Sequence, residues 1–317
     1  MHPVDRLGSA VVTRVAARDR ARAEAFADEH GIAAVSDDYR QVIEADDVDV
    51  VYNPLPMSLH AEWTIAALRA GKHVFCEKPF ASNATEAAAM VAAAAETDRI
   101  LCEAFHYRYH PMMGRILDLV EHDTIGTIEH VDASFAVSIA KPDLRWSYET
   151  AGGATMDLGC YPVHWARDLC GEPTVTAATA VADDDDPLID AELTMELAFE
   201  SGATARVHSS MTAPQRDISL RIIGDRGEIR AVNPMAPQTG NLLTVITAGG
   251  TSSGPVEAGV SYDHMVRAFV DHVRHGAPFP TRGVDSVANM TVIDAAYLAA
   301  GLPARGTGGI DHERPAR

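Results

Sequence analysis

Three short stretches carry residues whose types and spacing could do proton chemistry beside a ligand. In Gly152-Gly153-Ala154-Thr155-Met156-Asp157-Leu158-Gly159-Cys160-Tyr161-Pro162-Val163-His164, the groups Asp157, Tyr161 and His164 stand four and three residues apart. On a helix they share one face, and a carboxylate, a phenol and an imidazole on one face can transfer protons. The two glycines permit a close approach of backbone to a ligand. The plainer reading is a capping aspartate beside a buried, hydrogen-bonded tyrosine and histidine. Glu77-Lys78-Pro79 follows a strand-like run, which places Lys78 at the carboxyl edge of a parallel sheet, where ligands bind. Its plainer reading is a surface lysine before a chain breaker. Tyr52-Asn53-Pro54-Leu55-Pro56 with His60 closes another strand at the same edge, or is an ordinary strand-to-helix loop.

These stretches need a scaffold, and the first hundred residues supply one. Strand-like runs at Val11–Ala17, Ile32–Val35, Val48–Tyr52, His73–Cys76 and Ile100–Glu103 alternate with helix-like runs. The helices are expected at Arg20–His30, Asp37–Glu44, Leu59–Ala70 and Ala84–Thr97. Such alternation implies right-handed βαβ units and a parallel sheet. After residue 104 the texture changes. Leu193, Met195, Leu197 and Phe199 alternate with Glu192, Thr194, Glu196 and Ala198, and Ile218, Leu220 and Ile222 repeat the period. That is an antiparallel sheet with one face covered. Helices are expected at Pro162–Leu169, Tyr262–His275 and Ser286–Ala300. The expected division is 1–103, 104–300 and a loose Gly/Pro/charge-rich tail at 301–317.

Composition narrows the function. At 317 residues the chain is long enough to bury a core without disulfides or metal. A net charge of −19 argues against a nucleic-acid partner, and no apolar run approaches a membrane span. The run Asp183–Asp186 reads as a solvated loop. The four cysteines, at 76, 102, 160 and 170, form no C-x-x-C pair and suggest reduced thiols in a cytoplasmic protein. The histidines show no metal-ligand spacing, so no metal is expected.

Taken together, Glu77-Lys78-Pro79, the Asn53-Pro54-Leu55-Pro56 loop with His60, Arg108-Tyr109-His110-Pro111 and Gly152-Gly153 through Tyr161 stand in an order and spacing that resembles one family. It is the glucose–fructose oxidoreductase / inositol dehydrogenase (Gfo/Idh/MocA) family of nicotinamide-dependent enzymes. Tyrosine four residues after Asp157, and Ala16-Ala17-Arg18-Asp19, look closest to its dihydrodiol dehydrogenase branch. The resemblance spans roughly residues 11–300 and implies a Rossmann-type parallel-sheet domain plus an α+β domain with an open, mainly antiparallel sheet. It also implies Lys78, Tyr161 and Asp157 as the catalytic group, with His164, Arg108 and Trp146 around the substrate and the nicotinamide end. Asn53, Leu55, His60, Glu77, Lys78 and Pro79 would then line the cofactor. The open sheet would pair copies into a homodimer or homotetramer.

Elementary chemistry agrees with these roles. A phenol with an ordinary pKa of about 10 is a poor base at neutral pH, and a nearby Lys78 ammonium would lower that value. Arg18 sits where the adenosine ribose should lie and could pair with a 2′-phosphate, which favours NADP, while Asp19 next to it could take a free 2′-hydroxyl and leaves NAD open. One part of the family pattern is missing. Met1–Ala10 holds a single glycine, Gly8, and no glycine-rich turn between strand and helix. Two explanations stand open: a start codon set too far downstream, which the intact later motifs favour, or a shortened paralogue. The expected activity is therefore hydride transfer between NADP and a secondary alcohol or carbonyl of a sugar, cyclic polyol or dihydrodiol. The rival is a non-catalytic sugar-binding or regulatory protein on the same scaffold.

Overall fold

The structure, a computed structural model, describes residues 2–306. It opens with a short helix, α1 (His2–Leu7). β1 (Arg14–Val15) then pairs in parallel with β2 (Ala34–Val35) across α2 (Arg20–His30). α2 starts where Asp19 accepts hydrogen bonds from the N–H groups of Ala21 and Arg22, and stops at Gly31, whose φ of 65° suits glycine. Only two residues of the expected Val11–Ala17 strand are paired, and Val11 is 81% exposed.

α3 (Tyr39–Ile43) leads into a second parallel sheet of β3 (Val50–Asn53), β4 (His73–Cys76) and β5 (Leu101–Glu103), in that order. Its crossovers are α4 (His60–Arg69) and α5 (Ala84–Thr97), the latter capped by Asn83. No strand joins β1 to β3 among the described residues, so the parallel strands stand in two pieces. Arg14 reaches across to Asp47 at 2.8 Å, and the Thr13 hydroxyl donates to the Asp47 carbonyl at 3.4 Å.

α6 (Pro111–Glu121), with His110 at its cap and proline in its first turn, links to the large sheet. That sheet holds β6 (Ile128–Ser138), β7 (Pro173–Ala182), β8 (Asp190–Phe199), β9 (Thr204–Ser210), β10 (Thr212–Gly224), β11 (Gly227–Val232), β12 (Leu242–Thr247) and β13 (Gly250–Gly254). The order is β13-β12-β11-β10-β6-β9-β8-β7, antiparallel except for β6 beside β9. The period of two has the expected cause: Leu193, Met195, Leu197 and Phe199 are buried, while Glu196 between them is exposed.

α7 (Cys160–Cys170) lies against β6 and β9. α8 (Ser261–His275) and α9 (Gly283–Ala299) turn back to the parallel strands. The Phe75 ring of β4 stacks on Phe269 of α8 at 4.3 Å, and α9 packs on α5. Between them Glu103 N–H donates to the Thr281 carbonyl at 2.9 Å, and Arg282 bridges to Cys102. Part of the cover on the first domain thus comes from residues 261–299, so the expected cut at 103/104 divides the chain but not the packing. The tail expectation needs correction at residues 301–306: Arg305 is wholly buried. Residues 307–317 lie outside the described residues. Among the described residues no helix is long and apolar enough to cross a membrane.

Candidate active site

The carboxyl ends of β3 and β4 deliver the first two stretches side by side. Glu77 N–H donates to the Asn53 carbonyl at 3.0 Å, and the Tyr52 hydroxyl donates to Glu77 Oε1 at 2.5 Å. Burial, then Glu77, pushes the Tyr52 phenol up. Lys78 follows, its side chain 16% exposed and aimed across the interdomain seam. Its Nζ donates to the Asp157 carbonyl oxygen at 2.7 Å and to Asp157 Oδ1 at 2.8 Å. Burial works against the Lys78 charge, but the Asp157 carboxylate outweighs it and holds the ammonium at about 12.

Asp157 accepts from a second cation. Arg145 Nε donates to Asp157 Oδ2 at 2.7 Å, while Asp143 takes the Nη1 of Arg145 at 3.1 and 3.2 Å. Burial raises the Asp157 carboxyl, yet Lys78 and then Arg145 outweigh it and keep it below the ordinary range. Arg145 was not singled out from the sequence. Its only local signal is the Asp143-x-Arg145 spacing, which is common on surfaces. Arg145 and Asp157 line a cleft of about 320 Å³, with Phe135, Ile139, Arg216 and Met235 among its walls.

The helix face expected for Asp157, Tyr161 and His164 is not formed. Residues Thr155–Gly159 make one wide π turn before α7, so the 3.6-residue spacing is broken between Asp157 and Tyr161. α7 is also buried on every side from Cys160 to Arg167. Tyr161 lies below Lys78, whose Nζ is 5.1 Å from the ring centroid, among Phe105, Tyr107 and Phe135. Its hydroxyl has no hydrogen-bonding partner among the described residues. The expected depression of its pKa is corrected: burial, then Tyr262 and Cys160, push the phenol well above its usual value. The Lys78 charge is already matched by Asp157.

His164 turns the other way. Tyr107 Oη meets its Nδ1, and Asp285 Oδ2 accepts from Nε2 at 2.7 Å. Burial lowers the imidazolium, but Asp168 and Asp285 raise it on balance. It belongs to a buried ion network with Arg167 rather than to the cleft. Arg108 joins that network through Asp168 at 2.6 Å, an ion pair too bent to be a hydrogen bond. Trp146 donates its indole N–H to the Ile139 carbonyl at 3.1 Å and carries the Lys141 ammonium on its face. Among the described residues none of the three is hydrogen-bonded, ion-paired or ring-stacked with Lys78, Asp157 or Tyr161.

Of the residues expected along the cofactor, three act as braces. The Asn53 amide donates to the His60 carbonyl and the Thr64 hydroxyl and accepts from Leu55 N–H. His60 is buried, with its two ring nitrogens on the carbonyls of Pro79 at 2.9 Å and Leu55 at 2.7 Å. Together they hold the 53–60 loop against the Lys78-Pro79 turn. Arg18, three residues past β1, is exposed with no ion pair among the described residues, and Asp19 beside it caps α2 through Oδ1.

The glycines also answer to packing. A Cβ on Gly152 would stand 2.3 Å from the Arg145 carbonyl oxygen. One on Gly153, at φ 128°, would stand 2.0 Å from Asp190 Oδ1. Their close approaches within the protein are to Arg145 and Asp190.

Comparison with known proteins completes the site. Residues 2–105 match the profile of the oxidoreductase family, NAD-binding Rossmann fold, and residues 114–230 match the GFO/IDH/MocA C-terminal domain. D-xylose 1-dehydrogenase (NADP(+)) 2 of Haloferax volcanii is 37% identical over 90% of this chain and 88% of its own. Trans-1,2-dihydrobenzene-1,2-diol dehydrogenase of Xenopus tropicalis is 30% identical over 71% and 68%. A 3-ketoreductase from Actinomadura kijaniata, solved in complex with NADP and TDP-benzene, superposes with a TM-score of 0.84 at 28% identity over 91% and 89%. The chain belongs to the GFO/IDH/MocA oxidoreductase family.

Proposed function

We propose that this protein is an NADP-dependent oxidoreductase. It would act on a secondary alcohol, or the matching carbonyl, of a sugar, cyclic polyol or dihydrodiol. One observation carries the reading. An ammonium has three N–H donors, and Lys78 spends two on Asp157. The third has no acceptor among the described residues, and Nζ itself lies over the ring of Tyr161, whose hydroxyl is likewise unclaimed there. A substrate oxygen placed between them would meet two donors at once.

The residues fit a nicotinamide cofactor at its two ends. Glu77 and Lys78 stand at the carboxyl edge of β4, and Arg18 stands just past β1, without an ion pair among the described residues, beside Asp19, which caps α2. When bound, the nicotinamide supplies or takes up the hydride. In carbonyl reduction Tyr161 holds the proton that passes from its Oη to the product oxygen, and Lys78 stabilises the charge that gathers there. Asp157 keeps Lys78 charged and aimed, and Arg145 keeps Asp157 ionised. The relatives' own substrates support the sugar and dihydrodiol class. The same reading has two or four copies pairing through the open sheet. The four free cysteines agree with a cytoplasmic setting.

The test is a fluorescence titration with NADPH, followed by NADP-linked oxidation of D-xylose, D-glucose and myo-inositol. Saturable binding with turnover of at least one polyol is expected. A folded protein that binds sugar but neither NADPH nor NADH would replace the enzyme reading with the sugar-binding rival.

A further inference from the structure

We infer that Arg305 is a positioning residue that sets Asp157 against Lys78. The inference rests on the active-site reading above and extends it to the end of the described chain. Arg305 and Asp190 are both wholly buried, an expensive place for two charges unless every group is matched. Here they are matched. Arg305 Nη2 donates to Asp190 Oδ1 at 2.7 Å, and Nε donates to the Gly152 carbonyl at 2.7 Å. The other Asp190 oxygen accepts from Thr155 N–H at 2.8 Å and from its hydroxyl at 2.7 Å. Tyr297 Oη donates to Asp190 Oδ1 at 2.9 Å, and its ring lies 4.0 Å under the guanidinium.

Three of these bonds reach the turn that carries Asp157, one at Gly152 and two at Thr155, while Asp190 relays the guanidinium to Thr155 and Arg305 Nη1 donates to the Pro303 carbonyl at 3.1 Å. Gly152 and Thr155 lie five and two residues before Asp157, and Asp157 N–H donates back to the Gly153 carbonyl at 3.0 Å. The same residue also holds the lysine side of the site. The Asn83 amide donates to the Arg305 carbonyl at 2.8 Å. Asn83 lies five residues after Lys78, and Gly152 five before Asp157. Gly306 passes so close to the α5 N-terminus that a Cβ would stand 2.6 Å from both Ser82 Cβ and Glu86 Oε1. Tyr148 adds a bond to the Ala304 carbonyl at 2.9 Å. Backbone and side chain of one residue thus clamp the two segments whose meeting forms the Lys78–Asp157 pair.

The experiment uses the full chain with Arg305→Ala and Arg305→Lys. Two readouts are taken: amide hydrogen exchange, and kcat against the Kd for NADPH with D-xylose as the first substrate tried. Exchange should quicken at least tenfold across residues 152–158 in Arg305→Ala, and less at β8–β9. Guanidinium ion at millimolar concentration should restore part of the protection. kcat should fall by about 10- to 100-fold while the Kd for NADPH holds, as expected for a misplaced group. Arg305→Lys keeps the Asp190 contact but loses the fork to Gly152, so it should show the same pattern more weakly. It decides the matter if Arg305→Ala does not fold. Unchanged exchange at 152–158, or loss spread evenly over the sheet, overturns the inference. If the wild-type chain turns over no substrate, the enzyme reading fails on its own, and the exchange result still decides the clamp.

Discussion

Lys78 meets Tyr161 at the face of the ring, not at the hydroxyl: Nζ stands 5.1 Å from the ring centroid while two of its protons are held by Asp157. The ammonium therefore steadies the ring as a cation–π partner and leaves the phenol protonated. With the phenol pKa pushed well up by burial, Tyr161 is an acid throughout the neutral range. Carbonyl reduction should be flat with pH from 6 to 9. Alcohol oxidation, which needs the phenolate, should climb with pH across the same window. Tyr161→Phe should cost about 10²- to 10⁴-fold in kcat in both directions. A bell centred near pH 7 for reduction would contradict this assignment.

Glu103 gives a pH-dependent stability. It is 1% exposed at the end of β5, its Oε2 has no hydrogen-bond partner among the described residues, and burial pushes its carboxyl up to about 8. The folded state keeps a proton that the unfolded chain releases above its ordinary carboxylate value. The contribution is complete below about pH 4.3 and is lost as pH rises through about 8. Glu103→Gln keeps the shape and removes the titration. Its thermal midpoint should fall less than that of the wild type between pH 6 and 9. Parallel curves for the two proteins would show that Glu103 does not hold the proton.

Arg18 is the test of cofactor choice. Charge-assisted hydrogen bonds to a phosphate contribute about 1.5–3 kcal/mol. Arg18→Ala should therefore weaken NADPH binding by roughly 10- to 150-fold and leave NADH binding unchanged. Equal loss for both cofactors would move Arg18 off the 2′-phosphate. Asp19 cannot replace Arg18 at a 2′-phosphate, because its carboxylate carries the same sign of charge.

Gly153 admits no side chain. A Cβ there would stand 2.0 Å from Asp190 Oδ1, 2.8 Å from Arg305 Nη2 and 3.0 Å from Tyr297 Oη, at φ 128°. Gly153→Ala should cost more than about 3 kcal/mol, since overpacking adds to backbone strain. Urea unfolding measures it. A loss below about 1 kcal/mol would mean that the turn can shift at little cost.

Local rules explain what was legible beforehand. Arg20–His30, His73–Cys76 and Ala84–Thr97 fall on their expected bounds because caps and breakers sit next to them: Asp19, Gly31, Asn83. Lys78 and Asp157 are 79 residues apart, and no periodicity joins them. Family resemblance did. The shared face of Asp157, Tyr161 and His164 failed because a π turn leaves no mark in residue types. Arg145 and Arg305 stayed hidden for another reason. Each looks like a surface cation in its own neighbourhood, and Arg305 finds its acid 115 residues away. Composition describes a segment, whereas burial depends on what the rest of the chain brings to it.

The division of the parallel strands into two pieces has a consequence for how the molecule breathes. β1, α2 and β2 share one two-residue ladder, and α2 buries only Ala23 and Ala27. Polar links at Thr13 and Arg14, together with such modest apolar contact, make this segment a cooperative unit of low local stability. Amide hydrogen exchange is expected to be faster across residues 14–35 than in β3–β5 and the large sheet. Arg18 rides on that unit, whereas Lys78 and Asp157 do not. On the proposed function, grip on the adenosine end and chemistry at the nicotinamide end would fall to segments with different numbers of buried apolar contacts.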